Sequence, residues 1–517
     1  MLFELTRQLH RCGLLSISGI GRLIQSFCGL GVSPLTLLRL RSAMHPDRIA
    51  LTDDREQLTY REFFEQSQAL TQQFISIGWH QPGSRTAIVC RDHAALARCL
   101  CALPHLGHHV FLINPQTTGP QFERLHQQLG FDALIHDPDV PAAKISTCPP
   151  SLPTYDDDHA CIDHLCREQR HEPRLRCWKS GPISVLTSGT TGRPRTASRK
   201  PSLAMFLPPF CALLTAVRLG NHRSVYTATP VFHGFGLASL FMGIALGVTV
   251  HLRERFDAGT ACRLIEDHRV EALTVVPVML QRMLACQPQS LGSLKCIISG
   301  GAALNPDLAL RVLDQLGPVL FNMYGTSEAG VCIMSDPELI RDTPQAIGRP
   351  LPGVRVRVTD EDGHPVAAGK PGRLQIRSAW TIGGREWIET GDIASLALPE
   401  RILSLHGRTD EMIVSGGENV YPIELEHVLV THPAIDGAAV VGVPDTEFGQ
   451  RLKAIVVRHS DQELTEQSLS EWLKSRVARH QMPAVIEFRQ ELPYSTLGKP
   501  DRAQLLEPSE DSHKGIE

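Results

Sequence analysis

The chain lacks most of the features that settle a function quickly. Its 14 cysteines include no Cys-x-x-Cys pair, the nearest groupings being Cys99 with Cys101 and Cys161 with Cys166. That excludes a paired zinc or dithiol motif and fits reduced thiols in the cytoplasm. A net charge of -4 over 517 residues gives no basic excess, so nucleic acid is not expected as a partner. No uncharged apolar run reaches the roughly 18 residues of a spanning helix. Internal repeats and low-complexity tracts are missing as well. What remains is a globular chain, 42% apolar and long enough to divide into at least two domains.

Acidic residues are scarce at one end. Residues 1–46 carry five arginines and a single acid, Glu4, among many Leu, Ile, Phe and Gly residues. Arg11, Arg22 and Arg39 interrupt the apolar stretches, and Gly29, Gly31 and Pro34 break them. Three readings stay open: a basic amphipathic segment resting on anionic lipid through residues 1–42, an Arg-rich transit peptide, or helices packed on the domain behind them. Asp156-Asp157-Asp158-His159, with Cys161, His164 and Cys166, lacks paired zinc-ligand spacing and reads as a surface linker.

Along the body, short apolar strands at 86–90, 109–113, 133–135, 183–186, 224–228 and 296–299 alternate with amphipathic stretches. Such alternation predicts parallel α/β layers. From about Gly353 the pattern changes. Val354-Arg355-Val356-Arg357-Val358 alternates strictly, Asp362-Gly363 marks a hairpin turn, and a strand begins at Gly372, all antiparallel signals. A last unit from about Asp410 mixes strands at 438–441 and 454–457 with helices around 422–431 and 468–479, and residues 508–517 read as a tail. The expected division is therefore 1–44, a basic apolar extension; 45–409, a large α/β domain with a small antiparallel part; and 410–507, a small α+β domain.

Five strings carry chemistry. Thr187-Ser188-Gly189-Thr190-Thr191-Gly192-Arg193-Pro194-Arg195 leaves a strand with four hydroxyls, two glycines and two cations, a composition suited to cradling an anion. It is not the usual P-loop, because the hydroxyls come first and the cation last. Tyr324-Gly325-Thr326-Ser327-Glu328 sets an aromatic ring beside hydroxyls and a carboxylate, enough to stack a base and hold a cation. Thr390-Gly391-Asp392 presents a carboxylate on a turn, suited to paired ribose hydroxyls. Gly407-Arg408-Thr409-Asp410 precedes a run, 413–422, with a loop's composition, and Lys499 ends a glycine-preceded loop.

Together and in this order, these strings resemble the adenylate-forming superfamily of acyl-CoA synthetases, peptide-synthetase adenylation domains and luciferases. The resemblance runs from about residue 45 to 506. Within the superfamily, Ser415-Gly416-Gly417-Glu418-Asn419-Val420-Tyr421-Pro422 and Pro230-Val231-Phe232-His233-Gly234 look most like bacterial fatty-acyl-CoA ligases. The resemblance implies a large amino-terminal domain and a small mobile carboxy-terminal one. It also implies ATP, Mg2+ and coenzyme A as cofactors and a medium- or long-chain fatty acid as substrate. The alternatives are an aryl or hydroxy acid and an acyl carrier protein as acceptor.

By the same resemblance, Thr187, Ser188, Gly189, Thr190, Thr191, Gly192 and Arg195 hold the outer phosphates of ATP, and Glu328 holds Mg2+. Tyr324 stacks on adenine beside Gly301 and Ala302, with Gly325, Thr326 and Ser327 completing that wall. Asp392 and Arg408 take the ribose, Asp410 is the hinge, Gly416 and Gly417 line the thiol's path, and Lys499 serves the first half-reaction. His233 stands between pocket wall and catalytic aid, with Leu237, Ala238, Phe241, Val278 and Met279 as apolar lining. This chain departs from the family where Pro194-Arg195-Thr196 replaces Pro-Lys-Gly and where Gln481 replaces a lysine before Met482-Pro483. The stretch from Arg377 to Trp387 is also shorter than usual.

Overall fold

A computed structural model describes residues 2–144, 149–156, 160–168, 180–187, 195–199, 203–382, 384, 386–415, 418–445, 449–459, 464–494 and 499–507. Three sheets organise it. In the first, Ile183–Thr187, His109–Leu112, Arg85–Val89, Ala133–His136 and Ser151–Pro153 run parallel, and all but the half-exposed edge strand Ser151–Pro153 are largely buried. Arg195–Arg199 closes the edge antiparallel to Ile183–Thr187, with Thr187 and Arg195 as direct partners. The two ends of the phosphate-loop string therefore lie side by side, whereas residues 188–194 and the side chains of Thr187 and Arg195 are outside the described ones.

The second sheet, of 13 strands, has Gln57–Thr59 at its edge, antiparallel to Ile49–Thr52, and then runs parallel through Ile49–Thr52, Thr249–His251, Ser224–Thr227, Ala272–Val275, Cys296–Gly300 and Leu320–Thr326. It then turns antiparallel through Gly330–Ser335, Ala346–Pro350, Ile402–Arg408, Ile388–Ala397, Gly372–Arg377 and Arg355–Thr359. The change of texture near Gly353 is this transition. Thr390-Gly391-Asp392, expected on a turn, lies inside the strand Ile388–Ala397. Its pairing with Ile402–Arg408 slips by one residue after Ile393, the extra residue being His406 of that partner strand, a bulge of the kind that re-aims a side chain.

The small third sheet pairs Ile435–Asp445, Gly449–Arg458, Ile413–Ser415 and Glu418–Val420, with Val485–Arg489 added parallel. It has its own core of Val420, Leu425, Leu429, Val440, Ala454 and Leu469. Within the run 413–422, expected as a loop, Ile413–Ser415 and Glu418–Val420 pair antiparallel, and Gly416 and Gly417 are outside the described residues, as are 508–517. The unit meets the larger body through Gln281 Nε2 donating to Asp436 O at 3.2 Å and through His406 beside Glu424 at 3.5 Å.

Residues expected as a surface linker around Cys161 instead bury Cys161, Ile162 and Cys166, because Arg98, itself fully buried, needs Asp163 at 3.0 Å and Glu56 at 2.5 Å to offset its charge. The amino-terminal residues form three helices, α1 (Leu2–Arg11), α2 (Ile17–Leu30) and α3 (Pro34–Met44). Ser16 starts α2 as its cap, its hydroxyl accepting from Gly19 N at 2.9 Å. Of the three readings left open for this segment, packing on the body is what the fold displays. Arg41, fully buried, donates to Ala245 O at 2.9 Å and to Cys12 O at 2.8 Å. No helix among the described residues is long and apolar enough to cross a membrane.

Candidate active site

One continuous cavity of about 1980 Å³ runs between the parallel body, the antiparallel strands and the small carboxy-terminal unit. Gly301, Ala302, Tyr324, Gly325, Thr326, Ser327, Glu328, Asp392, Arg408, His233 and Lys499 all line it. Four separate sequence strings thus converge on one space. A smaller hollow of about 330 Å³ beside Asp53, Arg253 and Arg263 holds none of them.

The polar end is built on strand pairing. Asp392 and Arg408 are direct cross-strand partners, and Arg408 Nη1 donates to Asp392 Oδ1 at 3.1 Å. Thr390 Oγ1 accepts from Asp392 N at 3.1 Å and donates to Leu374 O at 3.0 Å, which fixes the carboxylate from below. The Tyr324 hydroxyl donates to the other oxygen, Asp392 Oδ2. Burial pushes the Asp392 carboxyl up, against the lowering pull of Tyr324, Arg408 and Lys499. Burial and the adjoining Asp392 also push the Tyr324 phenol well above its usual range, so it stays a donor at any working pH. Arg408 binds Asp410 as well, Nε to Oδ1 at 2.8 Å, which joins the pair to the first residues of the small unit.

Tyr324 lies where the pairing of Leu320–Thr326 with Gly330–Ser335 slips by one residue, the extra residue being Cys332 of the second strand. At Gly325 a Cβ would stand 2.3 Å from Gly330 O, so only glycine lets the two strands close here. Glu328 follows on the turn and lines the cavity wall. A hard divalent ion such as Mg2+ takes oxygen ligands, commonly one or two carboxylates completed by substrate phosphates. One carboxylate beside the polar end matches that donor set.

His233 precedes the helix Gly234–Leu246 and is held mostly out of solvent. Burial, with Lys499 nearby, pulls its imidazole down to about 4, so it is neutral at ordinary pH. Lys499 is exposed in the cavity, and its charge bears on both His233 and Asp392 although it belongs to the small unit. Leu237, Ala238, Phe241 and Val278 line the cavity as expected, but Met279 does not. It packs against the core of Leu280 and Leu308, because Val278 and Gln281, three apart on one helix face, take the cavity side.

Sequence reasoning missed two residues that hold the site. Thr390 reads in the sequence only as part of a turn. Asp92, buried, accepts from Val231 N at 3.0 and 3.1 Å and so anchors the turn before His233. Burial raises its carboxyl to about 7. No local pattern signals a contact between residues 139 positions apart. Gln481, singled out as a replaced lysine, donates to Glu424 Oε2 at 2.8 Å.

Comparison with known proteins gives the arrangement a family. Residues 38–384 match the sequence model of the AMP-binding enzyme, and residues 424–499 match that of the AMP-binding enzyme C-terminal domain. A feruloyl-CoA synthase of Amycolatopsis sp is 28% identical over 510 residues, covering 91% of this chain and 97% of that one. A 2-succinylbenzoate–CoA ligase of Bacillus subtilis is 28% identical over 499 residues, covering 92% and 98%. Among solved structures, o-succinylbenzoate coenzyme A synthetase from Bacillus subtilis in complex with ATP and magnesium superposes with a TM-score of 0.79 at 25% identity, covering 91% and 99%. Amide bond synthetase from Marinactinospora thermotolerans gives 0.79 at 24% identity, covering 91% and 99%. None of these names is that of a fatty-acid ligase. The chain belongs to the AMP-binding enzyme family and is a ligase of the adenylate-forming superfamily.

Proposed function

We propose that this enzyme joins a carboxylic acid to coenzyme A at the expense of ATP, through an acyl-adenylate. The observation that carries this reading is the convergence of Tyr324, Asp392 and Arg408 with Glu328, His233 and Lys499 on one cavity. The acid's carboxylate attacks the α-phosphorus, and pyrophosphate leaves. Coenzyme A's thiol then attacks the acyl carbon, forming the thioester and releasing AMP.

Asp392 and Arg408 take the ribose hydroxyls, the carboxylate accepting and the guanidinium fixing its orientation. Tyr324 packs on the base beside Gly301 and Ala302. Glu328 would hold Mg2+, which when bound would offset charge on the phosphates. Lys499 donates between the acid's carboxylate and the α-phosphate, where charge develops in the transition state. Its place on the small unit beyond Asp410 allows that unit to turn after the first step and expose the adenylate to the thiol. Neutral His233 forms the wall where acid and thiol meet.

The relatives' names are those of aryl-acid ligases, so the comparisons favour an aryl acid over the expected fatty acid, and the size of the acid beyond its carboxylate is left to the shape of the cavity. A carrier-protein thiol is the second reading for the acceptor, favoured by Gln481, which brings no charge for the phosphates of coenzyme A and is bonded to Glu424. Pyrophosphate release across aryl and aliphatic acids, with coenzyme A or a holo-carrier protein added afterwards, tests both readings. Release with at least one acid supports the function, release with none refutes it, and turnover only with the carrier protein installs the second acceptor.

A further inference from the structure

The cavity does not end where an aryl acid would. From His233 it follows the helix Gly234–Leu246 along one face, past Leu237, Phe241, Met242 and Ala245. The eleven helical steps from Gly234 to Ala245 span about 16 Å. At the far end the wall is shared between the helix Leu203–Val217, through Phe210 and Leu213, and the amino-terminal helices. Leu9, Leu14, Leu23 and Phe27, from α1, α2 and their connection, complete it. The match to the family's sequence model begins only at residue 38, so α1 and α2 lie ahead of the matched residues.

These helices are fixed in place. The guanidinium of Arg41 sits at the carboxy-terminal end of the helix Gly234–Leu246, donating to Ala245 O, where a cation meets the negative end of the helix dipole. Its Nη1 donates to Cys12 O between α1 and α2, so a single buried side chain clamps the extension to the helix that lines the cavity. On the rim, Leu15, Val32, Phe206 and Leu207 both line the cavity and remain 38% to 53% exposed, so the chamber opens to the surface between α2 and the helix Leu203–Val217.

We propose that residues 1–44 form the distal wall and mouth of the acid-binding chamber, and that the enzyme takes an acid whose apolar tail extends well beyond a single ring. This rests on the acid-activating reading of the same cavity. An apolar tail gains in proportion to the apolar surface it buries, whereas a short acid never reaches α2. Chain-length selectivity therefore resides in α1 and α2, ahead of the matched residues.

Two variants narrow the chamber from opposite walls, Leu23→Trp on α2 and Ala245→Phe on the facing helix. KM for hexadecanoate should rise about tenfold or more in each, the cost of losing roughly two methylenes' worth of burial, while KM for benzoate moves less than about twofold. Equal changes for both acids, or a wild-type enzyme with no preference for hexadecanoate over benzoate, would overturn the proposal. Fluorescence titration with cis-parinarate, without ATP, reads the chamber apart from the chemistry. Saturable binding that hexadecanoate displaces and Ala245→Phe abolishes supports it, and no saturable binding to the wild type refutes it. Parinarate binding without pyrophosphate release from any acid would break the catalytic reading and leave the chamber standing. Release from benzoate without parinarate binding would do the reverse.

Discussion

The two ends of the cavity are built on opposite principles. At the polar end, Tyr324, Asp392 and Arg408 form a hydrogen-bonded set locked by strand pairing, each atom with a named partner. At the apolar end, Met242, Leu23 and Phe27 share a space and no directional bond, and one buried arginine fixes the helices that carry them. A polar site fails when one atom moves, because a desolvated donor or acceptor left unpaired costs about 1 to 3 kcal/mol. An apolar wall tolerates exchange of side chains as long as volume is kept. Chemistry is thus held rigid where the superfamily shares it, and selectivity sits where a segment ahead of the matched residues can alter it.

The contrast can be broken most severely at Lys499. Lys499→Ala should slow adenylate formation by about 100- to 1000-fold, the loss of one preorganised donor in the transition state, and should spare thioester formation from supplied acyl-adenylate. Rapid-quench measurement of each half-reaction reads this, and equal losses in both would remove the lysine from the first step. Next in size, Asp392→Asn should raise KM for ATP by about tenfold to 100-fold, as expected for charge-assisted hydrogen bonds, with the preference among acids unchanged. A shift in acid preference would mean that the two ends are not separable.

Arg41→Met attacks the other side. Leaving Ala245 O and Cys12 O without their donor should cost about 2 to 4 kcal/mol by urea denaturation. Any preference for long acids should fall with it, while KM for ATP stays put. The smallest effect lies in pH. Burial first, then Lys499 for His233 and His268 for His251, hold both imidazoles down to about 4 against an ordinary 6.5. Between those values the unfolded chain takes up protons that the folded one refuses. Stability is therefore complete above about 6.5 and falls as pH drops toward 4. His251→Gln should flatten the urea midpoint over that window, and an unchanged slope would count against a neutral buried His251.

How far the sequence could be read follows the same divide. Tyr324 to Glu328 and Thr390 to Asp392 stand out because polar chemistry sits in contiguous residues, and the apolar runs place six strands of the body to within a residue, whereas those expected at 438–441 and 454–457 extend to 435–445 and 449–458. What escaped depended on partners far along the chain. Asp392 was expected on a turn, since nothing local reveals the strand Ile402–Arg408 that pairs with it. Met279 was assigned to the cavity because both it and Val278 are apolar, and only the rotation of their helix against the Leu280 core separates them. Leu23 and Phe27 gave no signal, for an apolar helix face reads alike whether it covers a core, a lipid surface or a substrate.

The central claim is two-step acid activation through an adenylate. ATP–pyrophosphate exchange, measured with labelled pyrophosphate and no coenzyme A, tests it most directly. The account predicts exchange that depends on added acid and that Lys499→Ala abolishes. Exchange that requires coenzyme A, or the appearance of ADP in place of AMP, would contradict it.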